Sequence, residues 1–206
     1  YNPYKADYVN INSRGRERYA NLWKQLAQNF SDCMFSIWHM PYHDASTDSY
    51  RRNTYLQITF PTLLNAIRKY SNNKVVFVPI HQNPAYYPSE PFSDSNIIYS
   101  LGHVVGGDES YREKNWDYNF AEIDSKLAPI KRWRAQYPDI PIMSCEFGGI
   151  KHSTLPIHQS RLDCLTYACK KMMEYKAGWM YWCVSIHQRD DTILKDIDDF
   201  IAEEHL

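Results

Sequence analysis

The chain has 206 residues, with 23 Lys and Arg against 24 Asp and Glu and a formal net charge of -1. That length suits one globular domain, residues 1–206, and that balance gives no reason to expect a nucleic-acid partner. No run of about 18 or more apolar residues occurs, which argues against a membrane span.

The N-terminus, YNPYKADY, has neither the basic flank nor the apolar core of a signal peptide. A start at Tyr1 without Met leads us to expect a processed, truncated or excerpted product, and no compartment is read from it. In ERYANLWKQLAQNF (17–30), Tyr19, Leu22, Trp23, Leu26 and Phe30 have the spacing of one helical face. CMFSIWHM (33–40), ended by Pro41, reads as a buried strand. TDSYRRNTYLQITFPTLLNAIRKY (47–70) is helical by pattern, with Thr47 or Asp48 as its cap, and Pro61 is expected to kink or split it.

KVVFVPI (74–80) and NIIYSLG (96–102) are apolar and β-branched, hence strands; the Pro- and Tyr-laden HQNPAYYPSEPFSDS between them reads as a loop. A polar, Gly-containing stretch, 103–118, leads to a helix from about Phe120 with Phe120, Ile123, Leu127 and Ile130 on one face. IPIMSCEF (140–147) is a strand. A helix over about 160–176 carries Leu162, Leu165, Cys169 and Met172 on one stripe, GWMYWCV (178–184) is a fifth strand, and a polar helix near 191–203 closes the chain.

Strands with little polar alternation, separated mostly by amphipathic helices, argue for an α/β fold with parallel strands. In such folds chemistry gathers past the C-terminal ends of the strands. There lie His39 with His43 and Asp44, His81, His103 with Asp108 and Glu109, Glu146, and Trp182 with His187. Glu146 is a lone acid at the end of an apolar run with a Gly pair behind it, which leaves room for a ligand. Pro41 forbids the regular helix that would align His39 and His43 as metal ligands, no GxSxG elbow is present, and no Gly-rich phosphate loop occurs. No metal or cofactor is expected. The five cysteines, Cys33, Cys145, Cys164, Cys169 and Cys183, contain no CxxC pair and read as small buried residues. Aromatics make up 15% of the chain, with 17 Tyr and 6 Trp; their faces stack on sugar C–H surfaces as readily as they fill cores, which tilts the reading toward a carbohydrate ligand.

With these elements in this order, the chain resembles glycoside hydrolase family 5, the cellulase-type (β/α)8 barrels. CMFSIWHMP looks like the family's fourth strand, NKVVFVPI the fifth, NIIYSLGH the sixth, IPIMSCEFGG the seventh and GWMYWCV the eighth. The resemblance implies a partial TIM-type barrel of about five strands, with no counterpart of the first three. It implies hydrolysis of β-glucan by a retaining mechanism, with Glu146 as nucleophile and Trp182 stacking beneath the sugar. The family's acid/base is the Glu of Asn-Glu-Pro; the aligned tripeptide here is His39-Met40-Pro41, and methionine has no proton to transfer. His39, His43 or Asp44 would then have to replace it, and His103 stands where the sixth strand of the family ends in His.

Substrate-binding candidates are Trp182, Trp116, Tyr86 and His81. Tyr86 and Tyr87 also serve an alternative reading, an inactive carbohydrate-binding or assembly protein of the same fold. A His-based metallohydrolase using His39, His43, His81 and His103 is a third. The expected partner is a β-linked polysaccharide or oligosaccharide. Self-association or a complementing fragment is expected to cover the open barrel edge. Secretion would accord with the family, although no residue pattern establishes it.

Overall fold

In a computed structural model of the chain, residues 12–37, 49–79, 86–101, 120–147 and 158–181 are described. Contacts divide the chain into two compact units, Tyr1–Ser100 and Leu101–Leu206. The first contains α1 (Ser13–Asn29), β1 (Phe35–Ser36), α2 (Ser49–Thr54), a π-helical turn (Tyr55–Thr59), α3 (Phe60–Arg68), β2 (Val75–Phe77) and β3 (Ile97–Ser100). The second contains α4 (Phe120–Gln136), β4 (Ile142–Phe147), α5 (His158–Glu174) and β5 (Ala177–Tyr181). The fold class is α/β, as the pattern implied, and every strand pairing within a unit is parallel: β1 with β2, β2 with β3, and β4 with β5. The closing helix expected near 191–203 lies outside the described residues.

α1 starts four residues before the expected helix because Asn12 caps it, its side-chain oxygen accepting the Gly15 N–H at 3.1 Å. The buried stripe also differs from expectation. Leu22 and Phe30 are exposed, whereas Gly15 and Ala27 are buried. α1 packs on α3, and Trp23 stands edge-on to Phe35.

Pro61 does split its helix, by a specific device. Proline has no N–H and its ring crowds the carbonyl four residues back. The chain widens to a π-turn just before it, in which the Phe60 N–H reaches back to the Tyr55 carbonyl. Tyr55 and Phe60 are thereby both buried, in a cluster with Phe77, Tyr87, Phe92 and Tyr99.

Two arginines tie the helix-to-strand turns at the N-terminal ends of the strands. Arg68 donates to the Ser71, Asn73 and Asn96 carbonyls and pairs with Asp94. Arg134 does the same in the second unit, donating to the Pro138 and Ile140 carbonyls before β4 and to the Tyr175 and Lys176 carbonyls before β5. A planar fork of donors suits several converging carbonyls as no lysine would. Lys176 itself adopts φ 52, the left-handed conformation that ends α5 and starts β5, where glycine is the commoner choice.

Burial pushes the Asp94 carboxyl up, but the Arg68 hydrogen bond, the Asn96 N–H and the charges of Arg68 and Lys74 outweigh it and hold the group below its ordinary value. A carboxyl depressed in the folded state stabilises the fold above its unfolded pKa of about 4, and that contribution is lost as pH falls through the folded value. The urea midpoint is therefore expected to drop on acidification below about pH 4. Asp94→Asn is expected to lower stability at neutral pH and to flatten the acid limb, which urea titrations at several pH values would check.

α4 buries Ile123, Leu127 and Ile130 as expected and extends the stripe to Trp133; Phe120 is instead exposed, stacked on Tyr167 at 4.4 Å. In α5, Cys169 and Met172 are buried. Burial pushes the Cys169 thiol up to about 12, so it stays protonated and is no nucleophile. Cys33, expected to be buried, is exposed. No helix among the described residues is long and apolar enough to cross a membrane.

Candidate active site

The candidate carboxylate lies on β4. Ile142 and Ser144 are buried, and the Met143 carbonyl accepts the Leu101 N–H at 2.8 Å, so the strand is held on two sides before it reaches Cys145. Against β5 the register runs Ile142 to Ala177, Met143 to Gly178 and Ser144 to Trp179, then jumps to Phe147 opposite Tyr181. Three steps on β4 thus face two on β5, which puts one extra residue at Cys145–Glu146. Bulges of this kind occur beside active sites, where they re-aim the chain and end regular pairing. Glu146 is the penultimate residue of β4, at the C-terminal end of a parallel strand, the end at which α/β enzymes assemble their chemistry. Trp182 follows β5 by one residue and lies outside the described residues.

His39, Asp44, His81, His103 and Trp116 also lie outside the described residues, as do Met40 and His43. Among the described residues no group of three His, Cys, Asp or Glu could hold a metal ion; the four histidines of the metallohydrolase reading are not among them. Tyr86 is half-buried in the segment before β3. Tyr87 is not a sugar platform. Its ring is buried against Phe77 and Tyr99, and its hydroxyl donates to the Ser100 carbonyl at 2.8 Å. The pattern of a Tyr pair in a loop carries no sign of that partner, which lies 13 residues on.

Two further tyrosines do the same work and were not singled out for it by the sequence. Tyr19 of α1 donates to the Ile37 carbonyl at 3.0 Å, just past β1. Tyr55 of the π-turn donates to the Val78 carbonyl at 2.8 Å, just past β2. Their position near the start of each helix was the available signal: a helix packed antiparallel to the strand that follows it brings its first turns beside that strand's C-terminal end. Tyr99 is different. Its hydroxyl accepts the Phe92 N–H at 2.7 Å, and burial pushes it up to about 12.

The model of the family described as Cellulase (glycosyl hydrolase family 5) matches residues 2–188. Among solved structures, the chain is similar to the Clostridial cellulose synthase subunit Z from Clostridioides difficile, at 16% identity and TM-score 0.62 over 86% of this chain and 64% of that one. It is similar to Thermotoga maritima Cel5A in complex with cellobiose, at 17% identity and TM-score 0.69 over 93% of this chain and 68% of that one. A hyperthermophilic endo-β-1,4-glucanase bound to substrate gives 21% identity and TM-score 0.64, over 84% and 59% of the two chains. Nothing among curated protein sequences matches. Identities this low show the fold, which is the TIM-type barrel class that the family resemblance implied. The chain spans 64% and 61% of the first two solved relatives.

Proposed function

The chain belongs to glycosyl hydrolase family 5, and from that premise we propose that it acts on β-linked glucan oligosaccharides by a retaining mechanism with Glu146 as the nucleophile. The observation that carries this reading is the register jump at Cys145–Glu146, which sets a lone acid at the C-terminal end of a parallel strand. In the first step the Glu146 carboxylate attacks the anomeric carbon. The glycosidic C–O bond breaks as the new C–O bond forms, and the leaving oxygen takes a proton. Water then hydrolyses the glycosyl ester, which frees the sugar with its original configuration.

The proton donor is the altered part. Met40 at the family's acid position supplies none, and the loss of a general acid removes roughly 10²–10⁴ in rate. Histidine, whose unperturbed pKa is near ~6.5, suits proton transfer, and this reading assigns the replacement to His39 or to Asp44 from the same segment. His103 belongs beside the nucleophile, and Trp182, Trp116, Tyr86 and His81 belong to the sugar subsites. A second copy or a complementing fragment covering the β1 edge is part of the same reading.

An activated aryl β-cellobioside tests it, because its leaving group departs with little protonation. Turnover of this probe, with much slower release of sugar from cello-oligosaccharides, is the expected result. Met40 also supports a second reading, a binding protein without catalysis. Calorimetric binding of cello-oligosaccharides with no turnover of the aryl probe would establish that reading and overturn the first.

A further inference from the structure

Each of the three strands of the first unit has, at its last residue or one past it, a carbonyl held by a tyrosine from the segment before that strand. Tyr19 precedes β1 and holds Ile37; Tyr55 precedes β2 and holds Val78; Tyr87 precedes β3 and holds Ser100. We propose that these three tyrosines are positioning residues, whose hydroxyls fix the backbone points from which the strand-end segments of the active face depart. The proposal rests on the functional reading above, in which those segments carry the site.

Ile37, Val78 and Ser100 are all buried. Burial denies a carbonyl bulk water, and a hydroxyl that reaches it supplies a donor in place of that water. Tyrosine meets the need from a distance: its ring joins the apolar layer between helix and strand while its hydroxyl reaches the carbonyl. With only two side-chain torsions, the ring gives the carbonyl little room to drift.

The spacing in sequence gives the device its meaning. His39 follows Ile37 by two residues, His81 follows Val78 by three, and His103 follows Ser100 by three. His39, His81 and His103, which the functional reading places in the site, thus each lie within three residues of a held carbonyl. A lone clamp of this kind would be ordinary buried-group pairing. Three in succession, each made across a different spacing of 18, 23 or 13 residues, place the constraint at the last residue of a strand or one past it.

The test compares Tyr19→Phe, Tyr55→Phe and Tyr87→Phe with Tyr99→Phe in the full chain. The last removes a part-buried hydroxyl hydrogen bond, to the Phe92 N–H in the segment before β3. Hydrogen exchange of the amides after each strand is the first readout. It is expected to quicken about tenfold after β1, β2 or β3 only in the variant whose clamp is lost, and to stay unchanged in Tyr99→Phe. The second readout is turnover of the aryl β-cellobioside. A small displacement of positioned groups is expected to lower kcat about tenfold or more, with KM within about twofold of wild type.

Exchange that rises equally in all four variants, or not at all, overturns the proposal. So does a kcat that falls no further in Tyr55→Phe than in Tyr99→Phe at matched stability. A wild-type chain that neither turns over the probe nor binds cello-oligosaccharide refutes the functional reading instead, and the exchange comparison then still decides whether the tyrosines hold the strand ends.

Discussion

Glu146→Gln is expected to lower turnover of an activated aryl β-cellobioside by roughly 10⁴-fold or more, the scale on which loss of a nucleophilic centre is felt, while cello-oligosaccharide binding changes by no more than a few fold. The substitution keeps the size and most of the hydrogen bonding of the side chain. What it removes is the negative charge that approaches the anomeric carbon and the oxygen that would bond to it. The choice of probe matters here, because the proposed function puts Met40 at the acid position. With an ordinary sugar as leaving group, both wild type and variant would be slow for want of a proton, and the comparison would be compressed. An aryl leaving group of low pKa lifts that restriction and leaves attack by the carboxylate as the step being compared. Equal rates in the two proteins would sink the assignment of Glu146 and, with it, the mechanistic part of the proposed function.

What the sequence made legible, and what it hid, follows from the range of the interactions involved. Helix and strand identities come from local apolar periodicity, and α1, α4, α5 and β2 to β5 all fall where that periodicity put them. The phase of α1 was hidden because hydrophobicity favours Leu22 and Phe30, whereas the residues the fold buries include the small Gly15 and Ala27. Pro61 announced a break, but a π-turn and a kink share the same sequence signal; only the burial of Tyr55 shows what the widened turn gains. For the site, Glu146 at a strand end was legible from MSCEFGG. The extra residue beside it was not, since register is fixed by the partner strand rather than by the local run. Arg68 and Arg134 were hidden for a similar reason: each binds carbonyls of turns that come together only in the fold.

Phe77→Ala is expected to cost about 3–5 kcal/mol of unfolding free energy, the range for deleting a fully buried aromatic ring. Phe77 is 0% exposed and lies at the centre of the aromatic cluster. Phe60 and Phe92 approach it edge-on at 4.9 and 5.2 Å, Tyr55 stacks on it at 5.8 Å, and Tyr99 and Tyr87 close the ring at 5.6 and 6.3 Å. Large rigid neighbours on so many sides cannot all collapse into the space, so the loss belongs at the upper end of the range rather than the lower. Phe77→Leu refills much of the volume and is expected to cost about half as much. The expected coupling is as informative as the size. Two of the rings that lean on Phe77 are those of Tyr55 and Tyr87, whose hydroxyls hold the Val78 and Ser100 carbonyls. Once Phe77 is gone those rings have room to move, and their hydrogen bonds weaken before any hydroxyl is removed. Combining Phe77→Ala with Tyr55→Phe should therefore destabilise by less than the sum of the two separate losses, by on the order of 1 kcal/mol in urea denaturation. Strict additivity would mean that the clamp on Val78 is held by something other than the packing of this cluster.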